Sequence, residues 1–445
     1  MAGGEGDPGV VVVIGDAFET NKNNPVKTTE ITSRAEKVLD RCQRLGSFSE
    51  DTVGIRRTFL SPAMHQCHEE IARWMEPLGA ETRIDAAGNF RAVYPASQPD
   101  APRLLIGSHL DTVPNAGAYD GILGVLLGVG LLEELRGRKL SFAIEIIGFS
   151  EEEGVRFGTP FIGSRALVGM LDQELLSLSD AQGISVGKAI EDFGLNPNEI
   201  SDAELAKDTL GFLEFHIEQG PILERLNLPL AAVETIAGQN RLEFIFLGRS
   251  NHAGTTPMDL RFDALAGAAE WIGAVERVAG SVPALVATVG KIEAKPGATN
   301  VIAGDVRLTL DVRHSSDATR TRAVGDITRH AQEIAVRRGL SLRQATLLSQ
   351  PAVAMDPFLV REIEQAIVRT GCKPHRIVSG AGHDAMIMAE KVPSAMIFVR
   401  TPGGISHDPE ESVAREDVEK AIECGLHLLD QLSASPEFLN RINRA

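Results

Sequence analysis

Three histidines and a run of acidic residues in this chain have the types and spacing that hydrolytic metal chemistry needs. His109 and Asp111 close the apolar segment in RLLIGSHLDT, Asp120 follows in AYDG, and Glu151, Glu152 and Glu153 follow a second apolar segment in FAIEIIGFSEEEG. His216 ends the run LGFLEFH, and His407 lies in the Gly-rich stretch TPGGISHDP. A dinuclear hydrolytic centre takes a bridging carboxylate, imidazoles and further carboxylate ligands, plus one carboxylate off the metal to activate water. Asp120 precedes Gly121 and an apolar helical stretch, so its carboxylate can turn inward and bridge two ions. Asp111, two residues past His109 on the same side of an extended segment, can accept from the second imidazole nitrogen. Adjacent side chains of an extended segment point opposite ways, so Glu151 and Glu152 take separate roles, one holding metal and its neighbour facing water. Three consecutive acids repel one another without a cation, which favours a metal over a bare acidic cluster. His65, His68, His330, His375 and His427 stand alone and read as surface or core residues.

The elements that position these groups alternate. A strand over 103–108 delivers His109, a helix spans 121–135, a strand covers 142–149, and a strand over 210–220 brings His216 to its end. Short apolar runs alternating with an apolar helix predict an α/β layer, a mixed sheet with helices on both faces. Helical spacing also marks 29–45 and 61–78, with a polar helical region over 172–208. From about 229 the order becomes strand 241–248, helix 263–280, strands 285–294 and 305–314, helix 317–338 and strand 340–348. That is the ferredoxin-like βαββαβ unit, expected as an inserted lid and dimerisation domain over 226–344. The catalytic domain is then 29–225 with 345–445, and residues 1–28 form an N-terminal extension expected to be poorly ordered.

At 445 residues the chain is too long for one core. A formal charge of −17 repels nucleic acid and anionic membrane, which points to a small-molecule substrate. No run is long enough to span a membrane, and no basic region precedes Val10–Ile14 as in a signal peptide, so the expected location is the cytoplasm. The four cysteines are scattered without a CxxC pair, so any metal must be held by His, Asp and Glu.

The chain resembles the zinc- or manganese-dependent amidohydrolases that cleave ureido groups, relatives of the dinuclear aminoacylases and zinc carboxypeptidases; allantoate amidohydrolases and N-carbamoyl-L-amino-acid hydrolases are members. The motifs that carry the likeness are GSHLDTVPNAGAYDGILGVL, FSEEEGVRFGTPFIGSRALVG, FHIEQGPILE, SNHAGTTPM, GATNVIAG with DVRH, SGAGHDA and GISHDPEE. The resemblance implies two divalent ions per subunit, with His109, Asp120, Glu152, His216 and His407 as ligands and Asp120 bridging. It implies Glu151 as the base, Asp111 as the residue orienting His109, and His252 as an oxyanion donor reaching a neighbouring subunit's site, hence a homodimer through the lid. Gln239, His252, Asn300, Arg313, Gly382 and His383 are the implied substrate residues, Arg313 suiting a substrate carboxylate as a bidentate guanidinium. The implied reaction is ureido C–N hydrolysis of a ureido carboxylate, allantoate first, with N-carbamoyl-L-amino acids or N-carbamoyl-β-alanine as the alternative and peptide or acylamino-acid cleavage behind them. One departure stands out: Phe262 follows Arg261 where the family carries a second basic residue.

Overall fold

The computed structural model describes residues 28–441. The extension expected over 1–28 lies outside them apart from Thr28, where the first helix, Thr28–Gly46, begins.

A nine-stranded mixed sheet forms the larger part. Its centre is four parallel strands in the order Ser394–Val399, Thr209–Ile217, Arg103–His109 and Ala143–Phe149. Every residue of Thr209–Ile217 is buried, as expected for a strand covered on both sides. Consecutive residues there meet different helices. Phe215 packs where Gly425 of helix Arg415–Ser433 comes close, while Glu214 accepts the Ala385 N–H of helix Asp384–Met388 at 2.9 Å. Since neighbours on a strand face opposite ways, helices cover both faces. Helix Ile122–Leu135 is buried almost throughout, packed on the central strands and backed by Thr28–Gly46 and Arg415–Ser433.

A second, four-stranded antiparallel sheet has the order Val286–Lys295, Asp305–His314, Gly238–Leu247, Ser341–Gln350. Leu242, Phe244 and Phe246 alternate inward beneath helices Ala264–Ser281 and Asp317–Arg337 and close on Trp271 in a separate core. This is the order of the ferredoxin-like unit read from the sequence. The boundaries expected at 226 and 344 shift, however. Leu230–Ile236 pairs with Ser394–Val399 in the large sheet, and the small sheet runs on through Gln350. The polar region 172–208 is broken into short helices, Gln173–Ser177 and Val186–Asp192, and a 3-10 turn, Pro197–Ala203, rather than one helical region. Among the described residues no helix is long and apolar enough to cross a membrane.

Candidate metal centre and active-site cleft

Because the central strands are parallel, their C-terminal ends share one edge of the sheet, where ligands of open α/β sheets bind. His109 is the last residue of its strand, His216 the penultimate residue of the next, and the acidic triplet and His407 follow the flanking two. Asp120 enters from the turn before helix Ile122–Leu135. Gly121 is required there: its φ is +70°, and a Cβ would sit 2.5 Å from the His109 ring.

The donors converge as two triads sharing one residue. His109, Asp120 and His216 form the first, and Asp120, Glu153 and His407 the second. Asp120 Oδ1 lies 3.5 Å from His109 Nε2 and 3.1 Å from His216 Nε2, and Oδ2 lies 3.2 Å from His407 Nε2. Oδ1 is buried without a hydrogen-bond partner. The tautomers follow from the backbone. His109 Nδ1 meets the Asp111 carbonyl at 3.0 Å and His216 Nδ1 the Ile217 carbonyl at 2.8 Å. A carbonyl only accepts, so both Nδ1 atoms donate, and in the neutral rings both Nε2 lone pairs, 3.4 Å apart, turn toward Asp120. Burial and then Asp120 push Glu153 up to about 7, and burial pushes Glu152 well above the ordinary carboxylate range, with Glu153 adding to the rise. Facing lone pairs, an orphaned carboxylate oxygen and crowded acids fit divalent cations at this site.

The acidic triplet departs from expectation. Glu151 does not face the cluster. Its carboxylate accepts Phe59 N–H at 3.0 Å and Arg156 N–H at 3.2 Å, and it does not line the cleft. Glu152 groups with His109 and Glu153, and Glu153, to which the sequence assigns no role, also joins Asp120 and His407. The physical reason is local: residues 150–153 bend instead of continuing the strand, so alternation lapses. Asp111 holds that bend, its Oδ1 and Oδ2 accepting the N–H groups of Glu152 and Glu153 at 2.9 and 3.0 Å. It orients His109 through its backbone carbonyl, and its Oδ1, 3.6 Å from the same His109 Nδ1, also serves the triplet.

The cluster opens into a cleft of about 880 Å³ between the two sheets. Of the six substrate residues implied by the resemblance, Gln239, Arg313, Gly382 and His383 line it, while His252 and Asn300 do not. Those two are exposed and adjacent on the small sheet's loops, where Ala253 N–H donates to the Asn300 carbonyl at 2.9 Å. Phe262, at the departure from the family pattern, packs under the Arg249 guanidinium, which lies 4.7 Å from its ring centre. Several supporting groups escaped the sequence reading. Gln219 Nε2 and Ser406 Oγ donate to Asp120 Oδ2 at 2.8 and 2.9 Å, and Glu411 Oε1 accepts the N–H groups of Tyr119 and Asp120 at 2.8 and 3.1 Å. Gln219 and His407 both hold left-handed backbone, φ +55° and +58°, a conformation costly for non-glycine residues and frequent at functional sites. Only the GISHDPEE and FHIEQG stretches around them hinted at this.

The model of peptidase family M20/M25/M40 matches residues 105–431. The chain belongs to that family. Within it, the chain is 37% identical over 433 residues to an allantoate deiminase of Arabidopsis thaliana, covering 90% of this chain and 82% of the relative. It is 35% identical over 404 residues to an N-carbamoyl-L-amino acid amidohydrolase of Geobacillus stearothermophilus, covering 90% and 99%. A crystal structure of a hydantoinase/carbamoylase family amidase from Burkholderia multivorans superposes with a TM-score of 0.85 at 31% identity, covering 90% and 98%. This M20 chain is an enzyme, a hydrolase acting on C–N bonds.

Proposed function

We propose that the protein hydrolyses the ureido C–N bond of a ureido carboxylate, with allantoate as substrate and ammonia and carbon dioxide released from the carbamoyl group. The observation that carries this is the pair of donor triads sharing Asp120, with Glu152 beside them. His109, Asp120 and His216, and Asp120, Glu153 and His407, would hold two divalent ions, zinc or manganese, which when bound would supply Lewis-acid polarisation and an activated water. Glu152 is the base: its carboxylate has no hydrogen-bond partner among the described residues, and burial raises its pKa above the ordinary carboxylate range. It takes the proton of the attacking water and returns it to the leaving nitrogen. Glu151 keeps a structural role, tying the triplet to Phe59 and Arg156.

Arg313 receives the substrate carboxylate, with Gln239 beside it and Gly382 and His383 forming the wall. His252 and Asn300 act from a second copy in a homodimer. His252 Nδ1 accepts Gly254 N–H at 3.1 Å, so its exposed Nε2 carries the proton and can donate to an oxyanion. N-carbamoyl-L-amino acids are the second reading, favoured by carbamoylase relatives at 34–35% identity. The test is ammonia release by the metal-loaded protein from allantoate, N-carbamoyl-L-amino acids, N-carbamoyl-β-alanine and ureidoglycolate, with dipeptides as controls. Cleavage of dipeptides alone would contradict the ureide reading.

A further inference from the structure

We propose that Arg165 recognises the arm of the substrate remote from the scissile ureide, and that this arm carries an oxygen acceptor, either a second ureido carbonyl or a second carboxylate. The inference rests on the ureido-carboxylate reading above. Three arginines line the cleft: Arg165, Arg241 and Arg313. Two of them already share one acid, and Arg313 keeps one N–H on each Nη for the substrate carboxylate. Asp311 takes Nε and Nη2 of Arg313 at 2.7 and 3.1 Å and Nε of Arg241 at 3.1 Å, and the Gly380 carbonyl takes Arg313 Nη1 at 2.7 Å.

Arg165 is different. Its Nε is buried without a partner, and among the described residues no hydrogen bond or ion pair engages its guanidinium. Burying part of a guanidinium removes hydration, and nothing among the described residues replaces it. The planar fork of donors that remains matches an oxygen acceptor. The residue is also held in place. Its helix, Ile162–Leu167, is tied down by Ser164 Oγ donating to Asp384 Oδ1 at 2.5 Å and by the Gly163 carbonyl accepting Asn89 Nδ2 at 3.1 Å. Arg313, on the opposite sheet, is assigned the carboxylate common to all ureido carboxylates. Arg165, on the large part, is left for a group that only some of them possess.

The experiment compares wild type, Arg165→Met and Arg165→Lys, all metal-loaded, on four substrates. N-carbamoylglycine has no arm, allantoate has a ureido arm, N-carbamoyl-L-aspartate a carboxylate arm and N-carbamoyl-L-leucine an apolar arm. Arg165→Met is expected to lower kcat/KM about 10- to 100-fold, through KM, on whichever polar-armed substrate wild type prefers, and to change N-carbamoylglycine by less than about threefold. Arg165→Lys recovers part of the loss. The preferred arm identifies the acceptor. Equal losses on all four substrates, or none on any, overturn the proposal while leaving the ureide reading intact. Wild type inactive on all four overturns the ureide reading, and the role of Arg165 with it.

Discussion

At the scale of single residues, the arrangement is set by what each carboxylate oxygen already touches. Asp111 spends both oxygens on the amides of Glu152 and Glu153. Asp111→Ala is expected to release that bend and weaken metal binding about 10- to 100-fold, read by titration with a competing chelator; unchanged affinity would show that the bend holds itself. Gly121→Ala brings a methyl group against the His109 ring at a positive φ. It should cost at least about 1 kcal/mol in urea unfolding of the metal-free protein and lower metal affinity as well. The donors themselves were legible in the sequence, because His109, His216 and His407 follow apolar strands and Asp120 precedes an apolar helix. The register of the triplet was not, because a bend over 150–153 leaves no mark on residue type. Arg165 was equally hidden: an arginine on a short helix reads as surface until its lack of a partner is seen.

At the scale of elements, helix Pro62–Met75 carries a group that makes the fold acid-sensitive. His68 is buried against Phe90 and Phe193, and neither ring nitrogen has a partner. Burial lowers its pKa from 6.5 to about 3. Between those values the unfolded chain binds a proton that the folded chain does not, so stability is full above about pH 6.5 and falls as pH drops. The contribution is about 2 kcal/mol between pH 7.5 and 5, at about 1.4 kcal/mol per pKa unit. His68→Leu should remove that part of the acid sensitivity in urea unfolding at the two pH values; equal slopes for variant and wild type would refute it. Most elements could be read from periodicity, including all six of the βαββαβ unit. Leu230–Ile236 could not be assigned to its sheet, since an apolar run does not reveal its pairing partner and sequence adjacency favoured the wrong one.

At the scale of the whole molecule, the cleft between two sheets is incomplete in one chain if His252 and Asn300 belong to the site. The proposed homodimer would supply them from the second copy, which permits complementation. His252→Ala and Glu152→Gln, each inactive alone, would form hybrids in which one of two sites has both groups intact. Random reassociation of equal amounts should restore about a quarter of wild-type activity, from half the dimers having one good site of two. No recovery, or an active monomer in gel filtration, would place the oxyanion donor within the chain.

The division of labour in the acidic triplet is tested most directly by metal content and kcat measured together on Glu151→Gln, Glu152→Gln and Glu153→Gln. Glu152→Gln should keep both ions per chain and lose kcat about 10²- to 10⁴-fold. Glu153→Gln should lose one ion, and Glu151→Gln should keep both ions and most of its kcat while melting at lower temperature. Full metal occupancy with kcat abolished in Glu151→Gln, and near-normal turnover in Glu152→Gln, would contradict the account.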